Sequence, residues 1–174
     1  MRNIFLLGTV PCMMPEKAFE LRLLLKVMNP DQIFVEVTDN DIHVSKALET
    51  DEMMFIAEWG KQNNKKVVGH CFVSDCTLLL DEDRKRLLTE EFSNLIAVNN
   101  WKAFNKLDTE VFHQFYNLCS MMVDMNKVEE KQKKMLENIE RRMVPNGKIL
   151  VVTEALNLKF FEQNLKNAVI PLIG

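Results

Sequence analysis

Two apolar runs near the start of the chain, Asn3-Ile-Phe-Leu-Leu-Gly-Thr9 and Gln32-Ile-Phe-Val-Glu-Val37, decide the fold. Between them, Pro15 opens a segment in which apolar residues recur with helical spacing, at Ala18, Leu21, Leu24, Leu25 and Met28. A strand, a helix and a second strand in this order form a βαβ unit, whose two strands are parallel. The sequence therefore predicts an α/β fold.

The rest of the chain continues this pattern. Residues 67–72 and 148–152 predict a third and a fourth strand, and residues 168–173 an edge strand, because Pro171 cannot donate to a ladder. Further helices are predicted over residues 50–60, 126–143 and 157–167. We expect one domain over residues 1–174: a small, mostly parallel sheet flanked by helices, with a helical insertion at about residues 78–144. The insertion either covers the sheet or forms a lid or a partner surface.

Composition excludes several classes of protein. The net charge of −3 offers no general attraction to nucleic acid or to an acidic membrane. No apolar segment approaches the length of a membrane span, and the first apolar run is too short for a signal peptide. A cytoplasmic location is therefore predicted, without membrane or nucleic-acid partners. The four cysteines, Cys12, Cys71, Cys76 and Cys119, are accordingly predicted to be thiols.

Polar residues follow the predicted strands where a site is expected. In parallel sheets, ligands bind beyond the carboxyl ends of the strands. The candidate ligand-binding residues at these ends are Gly8, Thr9, Asp39 and Glu154, and we expect Glu36 and Glu154 to lie at the same edge of the sheet.

Glu36, Cys12 and His70 are the candidate catalytic residues. Cys12 lies in the loop immediately before the helix that begins at Pro15, whose dipole favours a thiolate. A thiolate, an imidazole and a carboxylate could also bind zinc, but the spacing of His70, Cys71 and Cys76 matches no common zinc motif. Since both glycine-rich nucleotide fingerprints are absent too, no metal and no cofactor are predicted.

The orientation of Glu36 follows from the alternation of a strand. Phe34 and Glu36 share one face, so the carboxylate must either reach solvent or accept hydrogen bonds from the turn at Gly8 and Thr9. A functional role is favoured over a structural one. Glu36→Gln is then expected to weaken ligand binding and to leave thermal stability nearly unchanged.

The landmarks of the chain, taken in order, resemble the TraB/Tiki/PrgY family. The family's first strand ends in Gly-Thr-x-His, where this chain has Gly8-Thr9-Val10-Pro11. Its second strand ends around a glutamate, matched here by Glu36, and its third runs into Gly-Leu-Glu-Thr, matched by Gly69-His70-Cys71-Phe72. A later helix of the type Arg-x-x-x-Met-x-x-x-Ile corresponds to residues 131–139. The resemblance implies the family's α/β layout over nearly the whole chain.

The chain departs from the family at the residues thought to serve metal-dependent proteolysis. Pro11 and Leu156 stand where the family has histidines, and Cys71 stands where it has a glutamate. Proline and leucine can neither bind a metal nor move a proton. We therefore expect a relative that has lost the protease chemistry and binds a small molecule or a protein partner at the carboxyl edge of the sheet. The alternative is a hydrolase that uses Glu36 with Cys12 or His70.

Paired methionines bear on the choice between an enzyme and an interaction protein. Residues 13–14, 53–54 and 121–122 are each Met-Met, which either fills the core or forms an adaptable partner surface. An enzyme should gather polar side chains in a cleft at the strand ends, whereas an interaction protein should leave an apolar or methionine-rich patch exposed there or on the helical insertion.

Overall fold

The computed structural model of the protein describes residues 2–9, 15–44, 52–72 and 124–171, together with scattered helical positions between 83 and 121. Five parallel strands form one sheet in the order β3-β2-β4-β1-β5. The strands are β1 Arg2–Thr9, β2 Gln32–Val35, β3 Lys66–Gly69, β4 Gly147–Glu154 and β5 Ala168–Val169. The helices are α1 Pro15–Met28, α2 Asp39–Val44, α3 Glu52–Gln62, α4 Met125–Arg142 and α5 Ala155–Asn164. The predicted α/β class, and a helix between the third and fourth strands, are confirmed.

The two faces of the sheet bury separate parts of the core. One face packs against α1, α2 and α3, and its apolar residues include Leu25, Ile42 and Ile56. The other packs against α4 and α5, through residues such as Met135 and Phe161. Because side chains alternate along β4, this strand contributes to both parts of the core. Ile149 and Val151 face α4 and α5, while Leu150 and Val152 face the opposite way. The result is a three-layer α/β/α arrangement.

The ends of α1, α3 and β3 can be compared with the prediction. Asn29 ends α1 in the left-handed conformation, with φ 45°, in the Asn-Pro segment that predicted the stop. Gly60 was expected to close α3, but the helix continues to Gln62, and a Cβ on Gly60 would lie 2.5 Å from Val67 Cγ2. Gly60 therefore permits close packing of helix on strand. The third strand ends at Gly69, earlier than expected, so His70 and Cys71 follow it.

The exposed face of α1 carries an apolar row, which we call the α1 ridge: Phe19, Leu23 and Val27, four residues apart and all exposed. Met53 and Met54 are buried, so this methionine pair fills the core, while Met121 is exposed. The other two paired positions of the sequence lie outside the described residues in whole or in part. Within the described ranges, no helix combines the length and the apolar character needed to cross a membrane.

Candidate functional site

The connections of the sheet reverse direction at the carboxyl end of β4, and we call the edge of the sheet at this point the crevice. The chain leaves β1 and β2 toward helices on the α1 face, but it leaves β4 toward α5 on the opposite face. β4 lies between β1 and β2, so the connections diverge on both sides of it. Ligand sites in open α/β sheets lie at such reversals of direction.

Glu36 occupies this crevice, with its carboxylate enclosed by protein. Thr153 Oγ1 and the backbone amide of Glu154 donate to Oε2 at 2.5 and 2.8 Å. Asn157 Nδ2 donates to Oε1 at 2.7 Å, and Lys131 Nζ lies 3.4 Å from the same oxygen. The Glu36 side chain is 0% exposed. The carboxylate thus joins the end of β2 to β4, α5 and α4.

These contacts confirm one prediction and correct another. Glu36 and Glu154 lie at the same edge of the sheet, as expected for parallel strands. However, the hydrogen bonds to Glu36 come from β4, α4 and α5, and not from the turn at Gly8 and Thr9. The reason is that β4 is inserted between β1 and β2. The sequence had treated the first two strands as the pair around the site.

A second layer of hydrogen bonds holds these donors in place. Gln132 Nε2 donates to Asn157 Oδ1 at 2.9 Å, so the amide group of Asn157 is oriented with its nitrogen toward Glu36. The hydroxyl of Thr9 donates to the Thr153 carbonyl at 3.5 Å. Thr9, Gln132, Thr153 and Asn157 are all buried. We call the group of Thr9, Glu36, Gln132, Thr153 and Asn157 the polar cluster.

His70 lies beside the polar cluster and is completely buried. Its Nε2 is 2.9 Å from the Val152 carbonyl, which can only accept, so the hydrogen is on Nε2. Phe161 packs edge-on against the ring, with centroids 5.8 Å apart. Nδ1 accepts no hydrogen bond from the described part of the chain. Burial lowers the pKa of His70 below its usual value, and the charge of Glu36 opposes this only in part, so the ring is neutral.

The neutral state of His70 makes stability depend on pH. A histidine in the unfolded chain has a pKa of about 6.5, so acid favours the unfolded state, which binds the extra proton more readily. We therefore expect the free energy of unfolding to fall as the pH drops below about 6.5, with a slope of up to about 1.4 kcal/mol per pH unit. Urea unfolding at a series of pH values measures it. His70→Gln should flatten this slope, whereas His43→Gln, at an exposed position of α2, should leave it as in the wild type.

Asp39 is held at the neighbouring end of β3. It accepts a hydrogen bond from the Gly69 amide at 2.8 Å and forms an ion pair with Arg142 at 2.8 Å. Partial burial raises the pKa of Asp39, but the hydrogen bonds from Arg142 and Gly69 outweigh it and hold the pKa below its usual value. About half of the Asp39 side chain is exposed, so it can still meet a ligand at the rim of the crevice.

Besides His70, the predicted site residues lie in four places. Thr9, Glu36 and the backbone of Glu154 are brought together in the crevice. Asp39 lies at its rim, and Gly8 lies against α5, where a Cβ would be 2.9 Å from Leu158 Cδ2. Cys12 lies outside the described residues. Among the described residues, no three His, Cys, Asp or Glu side chains are grouped so as to hold a metal ion.

Cys71 corrects the prediction that all four cysteines are thiols. It is disulfide-bonded, and the other half of the bridge lies outside the described residues. Its sulfur is buried 3.7 Å from Met135 Sδ, beneath α4. Disulfides are uncommon in the cytosol. The bridge therefore counts against the cytoplasmic location, which stays a prediction.

The sequence reasoning missed the donors to Glu36, although two signals were present. Gln132 lies on the buried face of α4 among Val128, Met135 and Ile139, where Asn138 is a second buried amide. Thr153 ends the apolar run of β4 on the face that Ile149 and Val151 share. A polar residue on a buried stripe needs a hydrogen-bond partner, so both residues pointed to a buried polar group nearby.

Comparison with known proteins finds no matching family model, no matching curated protein and no matching solved structure. The resemblance to the TraB/Tiki/PrgY family accordingly stays a prediction.

Proposed function

We propose that the protein binds a small polar ligand in the crevice at the carboxyl ends of β1, β2 and β4. The observation that carries this proposal is the polar cluster itself, which is buried at the point where the connections of the sheet diverge. Burying five polar side chains at one strand edge costs stability unless each is hydrogen-bonded. Apolar residues would pack this edge at lower cost, so a polar edge is better explained by binding than by folding alone.

Partly exposed charges surround the crevice. Lys131 is one-third exposed, Arg142 and Asp39 are one-third to one-half exposed, and Glu154 is half-buried. Charges of both signs at the rim favour a ligand that carries hydrogen-bonding groups over an apolar one.

The α1 ridge supports the alternative of a protein partner less well. Its three side chains present a few hundred Å² of apolar surface, which is the size of the largest patch on an ordinary monomer. A stable interface buries about 800 Å² per partner. The ridge also lies on the helical layer opposite to the polar cluster.

The hydrolase alternative finds little support in the geometry. Both Glu36 and His70 are buried, and the carboxylate of Glu36 already accepts from three hydrogen-bonded groups besides Lys131. A general base must reach the proton that it removes. Neither group can do so without a rearrangement of the crevice.

Ligand-observed NMR with a panel of sugars, nucleosides and amino acids tests the proposal. Compounds that bind should then shift the backbone amide resonances of Glu36, Gly69 and Glu154 in the NMR spectrum of the isotope-labelled protein. Binders that instead shift the amides of the α1 ridge would favour a partner surface. A panel without any binder would count against the proposal.

We predict that Lys131→Met weakens binding of the panel compounds at least tenfold. Lys131 is the most exposed of the groups that contact Glu36, so it is the one best placed to meet a ligand. The free energy of unfolding should fall by about 1 kcal/mol or less, because Lys131 is one-third exposed and its 3.4 Å contact with the buried carboxylate is long for an ion pair. Titration calorimetry and urea unfolding measure the two effects.

Lys134→Met is the matched control, on the solvent side of the same helix. Lys134 pairs with the exposed Glu130 at 2.7 Å, away from the crevice. If both variants lost affinity equally, a general loss of positive charge would explain the result, and the site would be misplaced.

A further inference from the structure

The groups around Glu36 are arranged as a receptor for a carboxylate. Oε2 accepts from Thr153 Oγ1 and from the Glu154 amide, and Oε1 accepts from Asn157 Nδ2 and lies near Lys131 Nζ. Each oxygen thus has two donors, which matches the lone pairs of a planar carboxylate. Thr153 and Asn157 are buried, so these donors cannot turn to bulk water when the acceptor is absent.

The donors are positioned independently of the residue that they bind. Thr153 and Glu154 are paired with Gly8 and Thr9 in the β1–β4 ladder, and Asn157 is oriented by Gln132 of α4. None of them belongs to β2 or to the segment that carries Glu36. The acceptor and the donors are therefore separate parts, and removal of the acceptor leaves the donors facing one another across a gap.

We propose that this donor set is a carboxylate-binding site whose present occupant is the chain's own Glu36, and that a free small carboxylate binds there once that side chain is removed. Unpaired buried donors are costly, so an exogenous acceptor that restores their hydrogen bonds binds favourably. Phosphate fits less well, because it is larger, tetrahedral and more highly charged, and Lys131 is the cation paired with this carboxylate. The proposal does not depend on what the wild-type crevice binds.

Glu36→Ala with acetate is the direct test. Alanine keeps Cβ, and acetate supplies the missing methylene carbon and the carboxylate. Acetate at ten times its dissociation constant should raise the melting temperature of the variant by about 3 to 6 °C above an equal concentration of sodium chloride. Wild-type protein should show no such rise, because Glu36 fills the site.

Two controls decide which chemistry is recognised. Acetamide has the shape of acetate without its charge. At equal concentration, the rise in the melting temperature of Glu36→Ala should therefore be at least tenfold smaller with acetamide than with acetate. The double variant Glu36→Ala/Asn157→Leu should lose the response to acetate, because one of the donors to Oε1 is gone. Equal stabilisation by acetate, acetamide and chloride, or an unchanged response in the double variant, would overturn the proposal.

Refolding keeps the test decisive if Glu36→Ala does not fold alone. The variant is then diluted from urea into acetate or into chloride, and the folded fraction is measured by circular dichroism. A higher folded fraction in acetate supports the site. Equal fractions in the two salts would overturn it.

Discussion

Gly69→Ala should destabilise the protein by about 2 to 3 kcal/mol, the usual cost of forcing an extra carbon into a packed position. A Cβ on Gly69 would lie 2.5 Å from the Val37 carbonyl oxygen and 2.6 Å from the Asp39 amide nitrogen. These are backbone atoms, which cannot rotate away as a side chain can. The end of β3 and the segment that follows β2 would have to separate, and the hydrogen bond from Gly69 to Asp39 would be strained. Urea unfolding measures the change.

Gly8→Ala is the matched control for this prediction. The atoms nearest to its Cβ would belong to Leu158, with Cδ2 at 2.9 Å and Cδ1 at 3.4 Å, and the end of a leucine side chain can shift. We expect a loss of about 1 kcal/mol or less. If the two variants were equally unstable, the close approach of backbone at Gly69 would not be the controlling feature.

Most of the fold was predictable because its signals are local. The apolar runs of β1, β2 and β4 and the periodicity of α1 appear in short windows of sequence, and parallel pairing follows from the helices between the strands. The insertion of β4 between β1 and β2 was not predictable in this way. Strand order depends on which edges meet in space, and the alternation of a single strand does not carry that information.

The same limit explains the outcome at the site. The sequence placed Glu36 and Glu154 at one edge, because both follow strands that had been recognised. It could not pair Glu36 with Thr153 and Asn157, which lie more than a hundred residues away along the chain. Of the two alternatives that the sequence left open for this carboxylate, solvent exposure or hydrogen bonds from the turn at Gly8 and Thr9, neither is found, since its donors come from elements distant in sequence.

Glu36→Gln should therefore lower the free energy of unfolding by about 1 to 3 kcal/mol, contrary to the expectation from sequence that stability would be unchanged. The carboxylate accepts at both oxygens, whereas a glutamine amide has one oxygen and one NH₂ group. Whichever way the amide turns, its NH₂ faces a donor: Thr153 and the Glu154 amide on one side, or Asn157 on the other. At least one buried hydrogen bond is lost. Thermal unfolding should show a midpoint about 2 to 12 °C below that of the wild type.

Glu137→Gln is the matched control, because it makes the same substitution at an exposed position of α4. It should alter the free energy of unfolding by less than about 0.5 kcal/mol.

The proposed binding function adds a second readout for Glu36→Gln, because the amide disturbs the floor of the crevice beneath Lys131. In the folded fraction of Glu36→Gln, the panel compounds that bind the wild type should bind at least tenfold more weakly. A variant that lost stability and kept full affinity would show that Glu36 has only a structural role, which is to connect β2 with β4 and α5. The ligand would then have to bind elsewhere on this edge of the sheet. A variant that kept full stability would mean that the enclosed carboxylate described above is not what stabilises this edge.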